Sequence, residues 1–149
     1  MSYTVLTPDE AFWRPSNQMR IANTDLAAQL GATQLGVRLW RLEPGQASTW
    51  HRHVVHEEVY VVLEGTGRLR VDGGSTLTLP PGSAVRVDPD TLRQAFNDTA
   101  ATQLWLVMGA PGEPANTLAM TPELVARLYP EGPRRMPPEL GGGEFVADE

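Results

Sequence analysis

All three histidines of the chain, His51, His53 and His56, fall within one short stretch, and two carboxylates, Glu57 and Glu58, follow at once. Imidazole nitrogens and carboxylate oxygens are ligands of divalent transition metals. In an extended strand alternate side chains share a face, so His51 and His53 point together. A reversal after His53 brings the run Glu58-Val59-Tyr60-Val61-Val62 back alongside. Glu58, Tyr60 and Val62 then share one face, and Glu57 takes the other. His51, His53 and Glu58 are therefore the expected metal ligands, a 2-His-1-carboxylate face that leaves positions open to water or substrate. The competing reading is a metal-free, hydrogen-bonded polar network. His56 sits in the reversal, where exposure to solvent or a supporting contact is expected rather than ligation. Glu57 is expected to face solvent or to meet a surface arginine, a contact of small energetic weight.

The spacing around these residues carries a resemblance. Gly45, five residues, His51, one residue, His53, four residues, Glu58, six residues and Gly65 is similar to the complete first motif of the cupin superfamily. The second motif, over 82–97, is matched in part. Gly82 and Asn97 are in register, Asp88-Pro89-Asp90 stands where the family has Pro-x-Gly, and Arg93 stands at the fourth metal ligand. Pro80-Pro81-Gly82 could also be read as that turn, with Val85 then replacing the histidine. The first register leaves 103–110 as the closing strand. The resemblance, to small single-domain RmlC-like cupins, implies an all-β fold of cupin type, a double-stranded β-helix or jelly-roll barrel. It also implies dimerisation, and residues 3–6, Phe12 and Trp13 are candidates for that contact.

Arg93 puts a permanent cation with no lone pair where a ligand is expected. A unit charge 4 Å from another costs about 4 kcal/mol at an effective dielectric near 20. Three arrangements relieve it. Arg93 clamps the anionic group of a substrate with its bidentate fork, or pairs with Glu58 in a metal-free pocket, or points away. Arg93 and Tyr60 are the candidate catalytic residues, Tyr60 as a proton donor or, more simply, as packing. Gln94, next to Arg93, is expected on the opposite, solvent face. Trp40, Trp50 and Trp105 are expected in the core or at a dimer face.

The elements that must position these groups follow from the punctuation. Pro44-Gly45, Glu64-Gly65, Asp72-Gly73-Gly74, Pro80-Pro81-Gly82 and Asn97-Asp98 mark turns. Between them lie short runs at 49–54, 57–63, 68–71, 75–79, 84–87, 93–96 and 103–108, preceded by the alternating run 34–42. Strands at this spacing argue for two packed antiparallel sheets, independently of the resemblance. The N-terminus adds an edge strand over 3–6 and a short helical turn from Thr7-Pro8-Asp9-Glu10. Residues 16–33 give no clear pattern, although 25–30 could be a loop or a brief helix. Thr121-Pro122-Glu123 opens a C-terminal helix with Leu124, Val125, Leu128 and Tyr129 on one stripe. A Pro- and Gly-rich tail follows, expected to be loosely held unless it drapes over a neighbour. One domain is expected over 1–149, with a barrel core over about 34–110 and the helix and tail over about 115–149.

Composition narrows the function classes. A net charge of −6 would repel a nucleic-acid backbone, and no apolar run approaches a bilayer span. Without cysteine there is no disulfide scaffold and no thiol chemistry. No secretion signal opens the chain, so a cytoplasmic protein is expected. Fold and motif do not choose among the family's activities. The leading expectation is a metal-dependent enzyme acting on a small anionic, oxygen-rich ligand. With Fe it would be an oxygenase, and with Mn, Zn or Ni an isomerase or lyase. The alternative is a non-catalytic binding or sensing module, with or without metal.

Overall fold

The computed structural model of the chain describes residues 2–72 and 74–147, so Gly73, one of the expected turn glycines, lies outside the described residues. Two antiparallel sheets face each other. The larger has six strands in the order β1-β2-β3-β9-β4-β7: β1 Arg14–Pro15, β2 Ala22–Asp25, β3 Gly36–Leu42, β9 Gln103–Ala110, β4 Glu57–Glu64 and β7 Ala84–Val87. The smaller runs β6-β5-β8: β6 Ser75–Leu79, β5 Gly67–Val71 and β8 Arg93–Phe96. This is the expected jelly-roll arrangement.

Strand alternation builds the core between the sheets. Leu42, Tyr60, Val62, Trp105 and Val107 come from the larger sheet, and Leu69 and Ala95 from the smaller. Alternate residues of β4 turn outward, leaving Glu57 exposed at a 3.4 Å contact with Arg86. The turn into β5 needs Gly65, whose φ is +76° and whose missing Cβ would stand 2.7 Å from the Thr102 carbonyl.

Several expectations change. No strand forms over 3–6, and Thr7–Glu10 makes a single turn, closed by Glu10 N–H and Ala11 N–H donating to the Thr7 carbonyl. The patternless region holds β2 and a short helix, α1 Leu26–Leu30, capped by Asp25 and ended by Gly31 at φ +72°. Residues 49–54 are not a regular strand. The stretch 47–51 meets β8 through isolated bridges, Ala47 with Phe96 and His51 with Arg93. Four residue steps on one side match three on the other, and that surplus residue breaks the ladder.

The tail is not loose. α2, Pro122–Leu128, begins where Thr121-Pro122 predicts, with Leu124 N–H donating to Thr121 Oγ1. Beyond it, Met136, Leu140 and Phe145 pack on Met19, Ala47 and Phe96. The tail therefore covers the outer face of β8. Gln94, expected in solvent, is fully buried there and donates from Nε2 to the carbonyls of Ser48 and Arg135, each at 2.7 Å.

Candidate metal centre

The larger sheet supplies Glu58 from the start of β4, and the bulged segment before it supplies His51 and His53. That segment pairs with β8 of the smaller sheet, so the donors converge from facing sheets across the barrel mouth, not from neighbouring strands as expected. His51, His53 and Glu58 each offer a ligand atom, all within 4.8 Å of one another. The rings of His51 and His53 stand edge to face, 4.9 Å between centroids.

Hydrogen bonds decide which ring nitrogens are free. His51 Nδ1 lies 2.9 Å from the Thr49 carbonyl, an acceptor only, so Nδ1 carries the proton and Nε2 keeps its lone pair. Burial, reinforced by His53, lowers the His51 pKa to about 4. His53 repeats the pattern. Its Nδ1 lies 2.9 Å from Glu113 Oε2, and its Nε2 is buried without a hydrogen-bond partner, 3.7 Å from Glu58 Oε1. One buried and one half-buried imidazole, each presenting an unclaimed Nε2 beside a carboxylate, fit a divalent cation. The donor set is the nitrogen–oxygen mixture that suits Fe, Mn, Zn or Ni.

His56 differs. It is buried, not solvent-exposed, and both its nitrogens face acceptors: Nδ1 the Pro111 carbonyl at 2.8 Å, Nε2 Glu58 Oε2 at 3.2 Å. The hydrogen bond to Glu58 raises its pKa against the opposing effect of burial. With an acceptor at each ring nitrogen, it is braced on the carboxylate and has no lone pair to offer an ion. Gly109 makes room for it, since a Cβ there would lie 2.3 Å from His56 Nε2 and from the Glu57 carbonyl.

Glu58 is the hub. Tyr60 Oη–H donates to Oε1 at 2.5 Å, and Arg93 Nε stands 3.8 Å from the same atom. Burial works to protonate Glu58, but the histidines around it, His56 by donating its Nε2 proton, outweigh that and hold the carboxyl well below its usual range. Burial and the Glu58 charge together push the Tyr60 phenol well above its usual value.

Arg93 is fully buried, and its terminal nitrogens donate to the carbonyls of Pro89 at 3.2 Å, Asp88 at 3.2 Å and Val87 at 3.4 Å. Of the three arrangements, its position is nearest to the pairing with Glu58. Neither Arg93 nor Tyr60 lines the cavity at the barrel mouth, and each stands beside Glu58.

That cavity, about 540 Å³, is walled by His51, His53, His56 and Glu58 at its base and by Asn23, Arg38 and Trp40 along β2 and β3. Trp40 thus adds a cavity wall to its core role. Trp50 and Trp105 are buried as expected. Arg38 donates from Nη1 to Asn23 Oδ1 at 3.0 Å and pairs through Nη2 with Asp25 at 2.9 Å. Sequence reasoning missed this wall and missed Glu113, which comes from the Pro- and Gly-rich stretch after β9. Neither feature has a local signature.

Residues 38–109 match the model of the cupin domain. No curated protein matches the chain. Among solved structures it is similar to a sugar phosphate isomerase of the cupin superfamily from Silicibacter pomeroyi. Identity is 28%, 73% of this chain and 76% of that one are covered, and the TM-score is 0.65. It is similar also to a putative sugar phosphate isomerase from Acidithiobacillus ferrooxidans, 26% identical over 71% of this chain and 74% of that one, TM-score 0.61. KdgF from Halomonas sp. shares the fold at 20% identity, covering 74% and 96%, TM-score 0.61. With its matched segment, its paired antiparallel sheets and the His51, His53 and Glu58 cluster at the barrel mouth, the chain has the cupin fold and residues 38–109 are its cupin domain.

Proposed function

We propose that this cupin is a metal-dependent enzyme of isomerase type, acting on a small, anionic, polyhydroxylated substrate. The observation that carries the reading is the pair of unclaimed Nε2 atoms on His51 and His53 beside the ionised Glu58. The names borne by the two relatives at 26–28% identity support the substrate class. So does a cavity of about 540 Å³ whose wall offers the amide of Asn23 and the guanidinium of Arg38. His51, His53 and Glu58 would hold the ion, which would supply Lewis-acid polarisation of a bound carbonyl or hydroxyl oxygen. Tyr60 and Arg93 fix Glu58 from behind. His56 lines the cavity with a proton at Nε2 and is the group placed to exchange one with a bound substrate. With Arg93 occupied by backbone carbonyls, the substrate's anionic end falls to Arg38.

A non-catalytic binding module is the second reading, favoured by one observation: a guanidinium, not a fourth donor, at position 93. Incubating the metal-loaded protein with aldose and ketose phosphates and following both isomers by NMR separates the two. Interconversion that disappears with His51→Ala supports the enzyme, and saturable binding without interconversion supports the module. The proposal includes a homodimer, supported by the exposure of Tyr3, Val5 and Phe12, which sedimentation velocity would test.

A further inference from the structure

Glu113 lies outside the segment matched to the cupin domain and on no strand or helix, yet its carboxylate is the most heavily engaged acceptor near the centre. Oε1 accepts from Val55 N–H at 2.8 Å, Val54 N–H at 3.1 Å and His56 N–H at 3.4 Å. Oε2 accepts from His53 Nδ1–H at 2.9 Å and from Val54 N–H at 3.1 Å. One side chain thus does two things. It ties down the backbone of the reversal that separates His53 from Glu58, and it dictates on which nitrogen His53 carries its proton.

We infer that Glu113 is the positioning residue of the metal centre: it fixes His53 as the Nδ1–H tautomer and so delivers the Nε2 lone pair to the ion. The inference rests on the metal reading above for its consequence but not for its geometry. A carboxylate can only accept, so His53 must donate from Nδ1. Such an outer partner sets the tautomer and ring orientation of a metal-binding imidazole. His51 needs no equivalent, because the Thr49 carbonyl within its own segment does the same for it. His53 instead depends on a side chain sixty residues away in sequence, which places ion affinity under the control of the segment after β9.

The substitution Glu113→Gln isolates the tautomer from the backbone tie. Three N–H groups converge on the Oε1 position, so the glutamine carbonyl oxygen belongs there. Its NH₂ then faces His53 Nδ1 as a donor, and His53 must move its proton to Nε2. Long-range ¹H–¹⁵N NMR on histidine-labelled, metal-free protein reads this directly. The expected result is His53 protonated at Nδ1 in the unsubstituted protein and at Nε2 in the variant, with His51 unchanged in both. Mn(II) and Zn(II) titrations should show the variant's affinity falling roughly ten- to a hundredfold. His53 retaining the Nδ1 proton in Glu113→Gln would overturn the inference, as would a switched tautomer with unaltered affinity. Should the variant fail to fold, the unsubstituted protein still decides, since a proton on His53 Nε2 there contradicts it. If the unsubstituted protein takes up no ion, the metal reading fails by itself, and the His53 tautomer still rules on Glu113.

Discussion

The two stretches that resemble the family's motifs meet at one bridge, His51 with Arg93, and have diverged in what they do there. The first, 45–65, leaves polar atoms unclaimed: His51 Nε2, and His53 Nε2, which is buried and partnerless. The second, 82–97, leaves one buried atom without a hydrogen bond among the described residues, Arg93 Nε, and it stands 3.8 Å from the Glu58 carboxylate. Arg93 gives its terminal nitrogens to three backbone carbonyls, Gln94 bridges Ser48 to Arg135, and Asn97 ties Leu42 to Ala101. A buried polar group without a partner costs stability, so its persistence marks a place reserved for something else, whereas a satisfied one marks scaffolding. The chemistry is concentrated in one motif, and the other has become the frame that holds it.

That division can be broken from either side. The largest effect is expected from His51→Ala or His53→Ala, which should weaken metal uptake by more than the roughly hundredfold ceiling of outer-partner changes while leaving the fold intact. Elemental analysis and circular dichroism check the two halves. On the framework side, Arg93→Met removes the guanidinium donors from three carbonyls, of which Pro89 and Asp88 keep a backbone donor, and takes the guanidinium charge from beside Glu58. Chemical denaturation should show a loss of about 3–5 kcal/mol. Asn97→Ala removes the side-chain donor to the buried Leu42 carbonyl and one of two side-chain donors to the Ala101 carbonyl, and the same measurement should give about 1–3 kcal/mol with metal affinity unchanged.

A smaller and more diagnostic effect is the pH dependence of the metal-free protein. His56 has a raised pKa, so its contribution is fully present below its unfolded value of 6.5 and is lost as pH rises through the folded value. His51, lowered to about 4, acts with the opposite sign: it costs stability progressively as pH falls from 6.5 toward 4. Stability against pH should therefore show the advantage over His56→Gln shrinking with rising pH, and the disadvantage against His51→Gln growing as pH falls.

The strand runs and the ligands at 51, 53 and 58 were legible because both are local. Alternation puts Glu58, Tyr60 and Val62 on the buried face and Glu57 on the exposed one, and the helix start at Thr121-Pro122 is a capping signal within four residues. What the sequence concealed depends on what covers a face. Gln94 obeys alternation and does point away from Arg93, but the tail roofs that side, which no periodicity within β8 reports. His56 is buried because Gly109 leaves space for it. Glu113 sits in a stretch with linker composition and finds its partners 57 to 60 residues away. Pairing the 49–54 segment with β8 rather than β4 likewise depends on the closure of the barrel.

The most direct test of the account is an X-ray absorption spectrum of the protein loaded with one equivalent of Zn(II) or Mn(II), alongside His51→Ala and His53→Ala. The account predicts stoichiometric uptake with two imidazoles and one carboxylate in the coordination sphere, and an imidazole signal that diminishes in each variant. No stoichiometric uptake, or a coordination sphere unchanged by both substitutions, would contradict it.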